Sequence, residues 1–173
     1  GGGVKESAGA SGVYTVVCIG PDGVEKWRDT FPNLVVNVGL QLMNSTFFTG
    51  SAYTAAWYLG LVNGPGSGTT FAASDTMSSH GGWSEDTTYS NATRPAVTFG
   101  VPSLADPSVI ASTPTSFTIN GTTTIAGAFL TTDNTKGGTS GTLFSASDFT
   151  GGDRLLQSGD TLNVTYTFSL DAP

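Results

Sequence analysis

Histidine, cysteine and charge are what this chain has least of. It carries one histidine, His80, and one cysteine, Cys18, in 173 residues. One Cys and one His cannot fill a structural zinc site. One Cys cannot close an intrachain disulfide. Cys18 lies in an apolar run and reads as a small buried hydrophobe. Chains that pass through an oxidising compartment more often pair their cysteines. Charged residues make up 11% of the chain, less than half the usual share, and the net charge is −7. The six basic residues, Lys5, Lys26, Arg28, Arg94, Lys136 and Arg154, are scattered. Nucleic-acid phosphates need clustered Lys and Arg, so DNA and RNA are rejected as direct partners. An acidic membrane surface is rejected for the same reason. The sequence shows no signal-peptide pattern and no span of 18 apolar residues. Removal of Met before Gly1, or numbering that starts after a trimmed segment, would each explain the absent Met.

What remains is rich in glycine and aromatics, with 24 Gly, ten Phe, five Tyr and three Trp. The length fits one domain with a real core. Its surface must be covered with Ser, Thr, Asn and Gly. Such surfaces are common in β-rich extracellular or virion proteins and uncommon in soluble cytosolic enzymes.

The chain is organised around residues 33–62. Leu34, Val35, Val38, Leu42 and Met43 suit one face of a short helix near residues 37–48. Asn33 or Asn37 could cap it, and Leu34–Val36 could instead extend the strand before it. Gly39 costs such a helix about 1 kcal/mol against Ala. Ala55–Val62 is apolar on consecutive residues and bounded by glycines, which fits a strand buried on both faces.

The flanks read as short strands. Residues 1–12 are too glycine-rich to form a packed element and are expected to be an extended arm, reaching roughly 40 Å. A neighbouring subunit could order that arm, or it could fold back along its own sheet. Val13–Ile19 and Val24–Phe31 form a hairpin around Pro21-Asp22-Gly23. Residues 63–92 are a long connection bearing Phe71, Met77, Trp83 and Tyr89, which must pack on their own domain or on a neighbour. Ala96–Val101, Ser116–Asn120, Thr122–Leu130 and Thr142–Ser145 are expected strands, with Val109-Ile110 a short edge strand. Asn120-Gly121 is the strongest hairpin signal. In Thr161–Leu170, apolar Leu162, Val164, Tyr166, Phe168 and Leu170 alternate with polar residues, the pattern of a half-buried strand. Eight or nine strands with frequent turns imply a mainly β fold: an antiparallel β-sandwich or jelly roll over residues 13–173 with one short helix.

No chemistry assembles from these residues. His80 has Asp75, Glu85 and Asp86 nearby in sequence but no nucleophile elbow. Glu85 and Asp86 would point to opposite faces of a strand and cannot converge on one glycosidic bond. Asp148, Asp153 and Asp160 lack the spacing of a calcium loop. Gly64–Gly68 is glycine-rich without the Lys and helix of a phosphate loop. Asn44, Asn91, Asn120 and Asn163 match the glycosylation pattern, which a Thr-rich chain produces by chance. Trp27, Trp57, Trp83 and Tyr58 suit either a ligand-stacking platform or core and interface packing. No catalytic residue, cofactor site or metal site is assigned.

Several stretches resemble small structural proteins of tailed bacteriophages. They are Asn33-Leu34-Val35-Val36-Asn37-Val38-Gly39-Leu40 after the first hairpin, Ala55–Leu61, the Asp75–Glu85 loop DTMSSHGGWSE, Arg94-Pro95, Ile125–Phe129 and the closing GDTLNVTYTFSL. The resemblance spans Val13–Leu170. It implies a capsid decoration (cement) protein on the outer capsid surface, assembled in the bacterial host cytoplasm and clamping major capsid protein subunits as a homotrimer, with no enzymatic activity. The alternative it leaves is a tail-fibre or baseplate β-sandwich module that binds host-surface glycans. Such tail modules often carry a Glu in the strand corresponding to Ile125–Phe129, where this chain has Ala126-Gly127.

Overall fold

The computed structural model of the chain describes residues 9–64 and 68–173. Among the described residues there are eleven strands and one helix, and every strand pair is antiparallel. In chain order they are β1 Gly9–Ile19, β2 Glu25–Pro32, β3 Leu34–Val35, α1 Asn37–Phe48, β4 Tyr58–Asn63 and β5 Glu85–Asp86. There follow β6 Ser108–Ala111, β7 Thr115–Thr118, β8 Thr123–Thr131, β9 Leu143–Asp148, β10 Arg154–Leu156 and β11 Thr161–Asp171. One sheet has the order β2-β1-β11-β6, with β7 also on β11; the other runs β3-β9-β8-β4-β5, with β10 on β8. The fold is a β-sandwich, as the strand patterns imply. The strands beyond the expected eight or nine are the two- and three-residue pieces β3, β5 and β10.

The expected hairpin is present. Gly23 takes φ 79°, its N–H donates to the Gly20 carbonyl, and the Asp22 carboxylate accepts from the Val24 N–H. The alternation in β1 and β11 sends Tyr14, Val16, Cys18, Leu162, Val164 and Tyr166 into the space between the sheets. Leu59 and Leu61 of β4 and Ile125, Ala128 and Leu130 of β8 meet them from the other side. A second core lies against the opposite face of the β4–β8 sheet. There Met77 and Trp83 of the long connection cover Val62, Ala126 and Phe129. This explains the consecutive apolar run in β4, where Leu59–Val62 are all buried, as expected of a strand covered on both faces. The connection between β4 and β5 therefore packs on its own domain.

Four expectations need correction. The first concerns residues 1–12. Gly9–Gly12 belong to β1, paired with Phe168–Asp171, while residues 1–8 lie outside the described residues. Backbone pairing needs no side chain, and a Cβ on Gly12 would collide with the Tyr166 hydroxyl. Glycine is there to let a strand approach a buried tyrosine. The second concerns the helix cap. Val36, not an Asn, holds the cap position, and no side chain caps the helix. Its early N–H groups are met by tertiary partners: Val36 donates to the Phe144 carbonyl and Asn37 to the Ala73 carbonyl. Leu34–Val35 do form a strand, but it pairs with β9 in the opposite sheet.

The third correction concerns Ala96–Val101, which forms no regular strand. Its start pairs with the β4 side (Tyr58 with Ala96) and its end with the β6 side (Phe99 with Ser112). A segment passing from one sheet to the other cannot stay in one ladder. The fourth concerns Asn120-Gly121. It makes no hairpin, since β7 pairs with β11 while β8 pairs with β4 and β9. It arches between sheets, and Gly121 lacks the positive φ that a type I′ turn requires.

Gly39 sits where α1 crosses β9. A Cβ there would stand 2.6 Å from the Phe144 carbonyl oxygen and 3.0 Å from the Phe144 Cα. Backbone cannot yield as a side-chain tip would. Gly39→Ala gains about 1 kcal/mol of helix propensity and incurs roughly 1–3 kcal/mol of overpacking. The overlap decides the sign. Urea unfolding should show a lower midpoint with an unchanged slope; a higher midpoint would contradict the close approach.

Burial also sets an alkaline limit. It pushes the Cys18 thiol up from 9.0 to about 11, with the nearby Asp160 carboxylate adding to the effect. Burial likewise raises Tyr14, Tyr89 and Tyr166 above the ordinary tyrosine value. An acid held more tightly in the folded chain stabilises it fully below its unfolded value and loses that contribution as pH rises through its folded value. Stability should therefore hold to about pH 9, then fall towards pH 11 and beyond as the tyrosines follow. Urea titrations across that range test this, and Cys18→Ala should flatten the first part of the fall.

Candidate interaction surface

Most residues with chemical potential are held in structural bonds. The His80 ring stacks on Trp83 with centroids 3.8 Å apart, and its Nδ1 lies 2.9 Å from the Trp83 carbonyl oxygen. Asp75 accepts from the Trp83 indole N–H at 3.0 Å and from the Ala72 N–H. Asp86 accepts from Asn63, Thr123 and the Thr88 N–H. Glu85 turns the other way, to Arg94 and the Gly137 N–H. The two adjacent carboxylates do not converge. Asp160 is buried against Lys26 and the Gln157 N–H, while Asp148 and Asp153 are exposed. Among the described residues, no group of three or more His, Cys, Asp or Glu could hold a metal ion. No described helix is long and apolar enough to cross a membrane. Residues 65–67 of the glycine-rich loop lie outside the described residues.

The aromatic residues do not make one platform. Trp27 meets Phe149 edge-on, Trp57 meets Phe144, and Trp83 is buried against Phe129 and His80. Two of the four glycosylation-pattern asparagines are tied to β7: Asn91 bonds Ser116 and Thr118, and Asn163 accepts from Ser116.

Arg94 is fully enclosed, with no exposed surface. Its Nε and Nη2 donate to the two Glu85 oxygens at 2.9 and 2.7 Å. Nη1 donates to the Asp133 carbonyl and Nη2 to the Gly138 carbonyl, and the guanidinium lies 5.3 Å from the Phe129 ring centre. Lys136 donates to the Tyr89 and Asn91 carbonyls. Together these bonds pin the loop between β8 and β9 onto the segment after β5.

At the end of α1, Phe47 and Phe48 are 82% and 83% exposed, with ring centres 6.1 Å apart. Beside them opens a groove of about 250 Å³. Met43 and Phe47 of α1, Ile110 of β6, and Phe168 and Leu170 of β11 line it, and no charged side chain does. The sequence explains this neutrality. No Asp, Glu, Lys, Arg or His occurs from Thr30 to Ser74, from Pro95 to Ala105, from Pro107 to Thr132 or from Thr161 to Leu170. The strict alternation of β11 predicted a buried face down to Leu170. Burial instead ends at Tyr166, Phe168 is half-buried and Leu170 is exposed. Sequence reasoning gave α1 one apolar face and missed this surface. The adjacent Phe47-Phe48 pair was the signal, because neighbouring helix residues point about 100° apart and both rings are exposed.

Comparison with protein-family models, with curated proteins and with solved structures gives no match.

The Arg94–Glu85 pair yields a prediction about the loops that flank this surface. Arg94→Met strands a buried carboxylate and should cost about 3–5 kcal/mol. Replacing both partners by apolar residues should cost clearly less than the two single changes added together. Equilibrium unfolding of the two single variants and the double variant measures the coupling, and additive losses would contradict it.

Proposed function

We propose that this protein is a structural component of a tailed-phage virion, a decoration (cement) protein that binds the outer capsid surface. It acts by binding alone. As a homotrimer it clamps joints between major capsid protein subunits, where several weak contacts on one particle add up through avidity. The observation that carries the reading is a wide uncharged face, apolar at its centre, on a rigid sandwich whose acids and histidine are engaged in structural bonds or isolated from one another. A surface with few charges suits a dense array, where strong like charge would repel. The resemblance of residues 13–170 to phage structural proteins supplies the particle.

The purified chain, added to undecorated capsids of the virus that encodes it, should cosediment to saturation and raise the temperature at which the shells break. No binding to those capsids, together with binding to a defined set of host-surface glycans, would overturn the reading in favour of a tail-fibre or baseplate module.

A further inference from the structure

The apolar face has a shape as well as a chemistry. Among the described residues, nothing covers its groove on the side where β11 runs past the core, at Phe168 and Leu170. Beside the groove stands Phe48, a ring that lines no part of it and is 83% exposed. One chain therefore presents both a cavity of side-chain size and an exposed ring next to it. We propose that this face joins copies of the chain, the Phe48 ring of one entering the Met43–Ile110–Phe168 groove of the next. The inference rests on the capsid reading for its expectation of more than one copy.

Charge selects a second copy as the occupant. Each chain carries −7, so two copies repel wherever acid meets acid. The groove and α1 belong to segments with no charged residue, and the acids that adjoin its Leu170 end, Asp106 and Asp171, are exposed, so a contact centred on α1 buries no unpaired charge. A basic partner would instead be drawn to the acidic surface outside this face. Size agrees as well. A standard interface takes about 800 Å² and 20–30 residues per partner, roughly a tenth of this chain's 8767 Å² surface. The outer side of α1 from Leu40 to Phe48, the exposed residues 49–55 and the groove rim supply a set of that size. A ring in a neighbour's groove can be reciprocal about a two-fold axis or run head to tail around a closed ring. The same contact serves both, and the sedimenting mass gives the number of copies.

Sedimentation velocity from micromolar to sub-millimolar concentration tests the contact on the wild-type chain and on Phe48→Ser. The wild type should sediment as an oligomer. Phe48→Ser should weaken association at least about tenfold while its melting midpoint stays unchanged, because the ring is exposed within one chain. Phe47→Ser, at the groove rim, should act in the same direction. A wild type that is monomeric throughout, or a Phe48→Ser oligomer of undiminished strength, would overturn the inference. Capsid cosedimentation of the same samples separates the two proposals. A monomer that still decorates capsids overturns this contact and the free homotrimer, and leaves capsid binding standing. An oligomer that ignores capsids does the reverse. Loss of capsid binding by Phe48→Ser, from a monomeric wild type, would assign the face to the capsid and overturn self-association.

Discussion

A guanidinium with no exposed surface survives only if nearly every N–H finds an acceptor. Arg94 meets that demand with both oxygens of Glu85 and two backbone carbonyls of the loop between β8 and β9. The consequences spread along the chain. The next residue, Pro95, offers its carbonyl to the Leu59 N–H, Val97 donates to the Trp57 carbonyl, and Phe99 arrives at the groove. The path that carries one wall of the apolar face from one sheet to the other thus starts at the ion pair. Planar, bidentate pairing is what Arg offers and Lys does not.

The scarcity of charge gives each remaining ion pair an assignable place. Lys26 holds Asp160 beside the first hairpin, and Arg154 holds Asp29. Arg28 and Glu25, both on the exposed side of β2, form the pair that contributes least. The neutral segments between these anchors build the two cores and the apolar face. Neutrality therefore has two outcomes here. Where a second layer of the same chain covers it, as Met77 and Trp83 cover β8, it is core. Where no described residue of the same chain covers it, as at Phe168 and Leu170, it is surface with an apolar character.

The glycines show how tertiary context reverses a local argument. Gly39 counts against a helix by propensity, yet α1 forms because its backbone must pass close to Phe144. Gly12 looks like tail, yet it is strand, because Tyr166 needs the room above it. Gly127 in β8 lies so near the Ser147 carbonyl that no larger residue fits. In each case the residue was legible and its reason was not, since the reason is an atom far away in sequence.

Local pattern alone determined the elements whose cause is local. Alternation announced β11, a Pro-Asp-Gly turn announced the first hairpin, and spacing announced α1, although Leu34 and Val35 of that spacing belong to β3. The run Ala55–Val62 announced a strand covered on both faces, although the strand starts only at Tyr58. The same reasoning correctly kept Glu85 and Asp86 apart. What only the tertiary structure decided was which sheet each strand joins, because Asn120-Gly121 can close a hairpin or arch between sheets with the same two residues. It also decided where the core stops. Along β11 the sequence keeps its apolar rhythm to Leu170, but the layer that would bury it ends at Tyr166, and no periodicity records the position of that opposing layer. The apolar groove exists because of that mismatch, and so does the most informative surface of this protein.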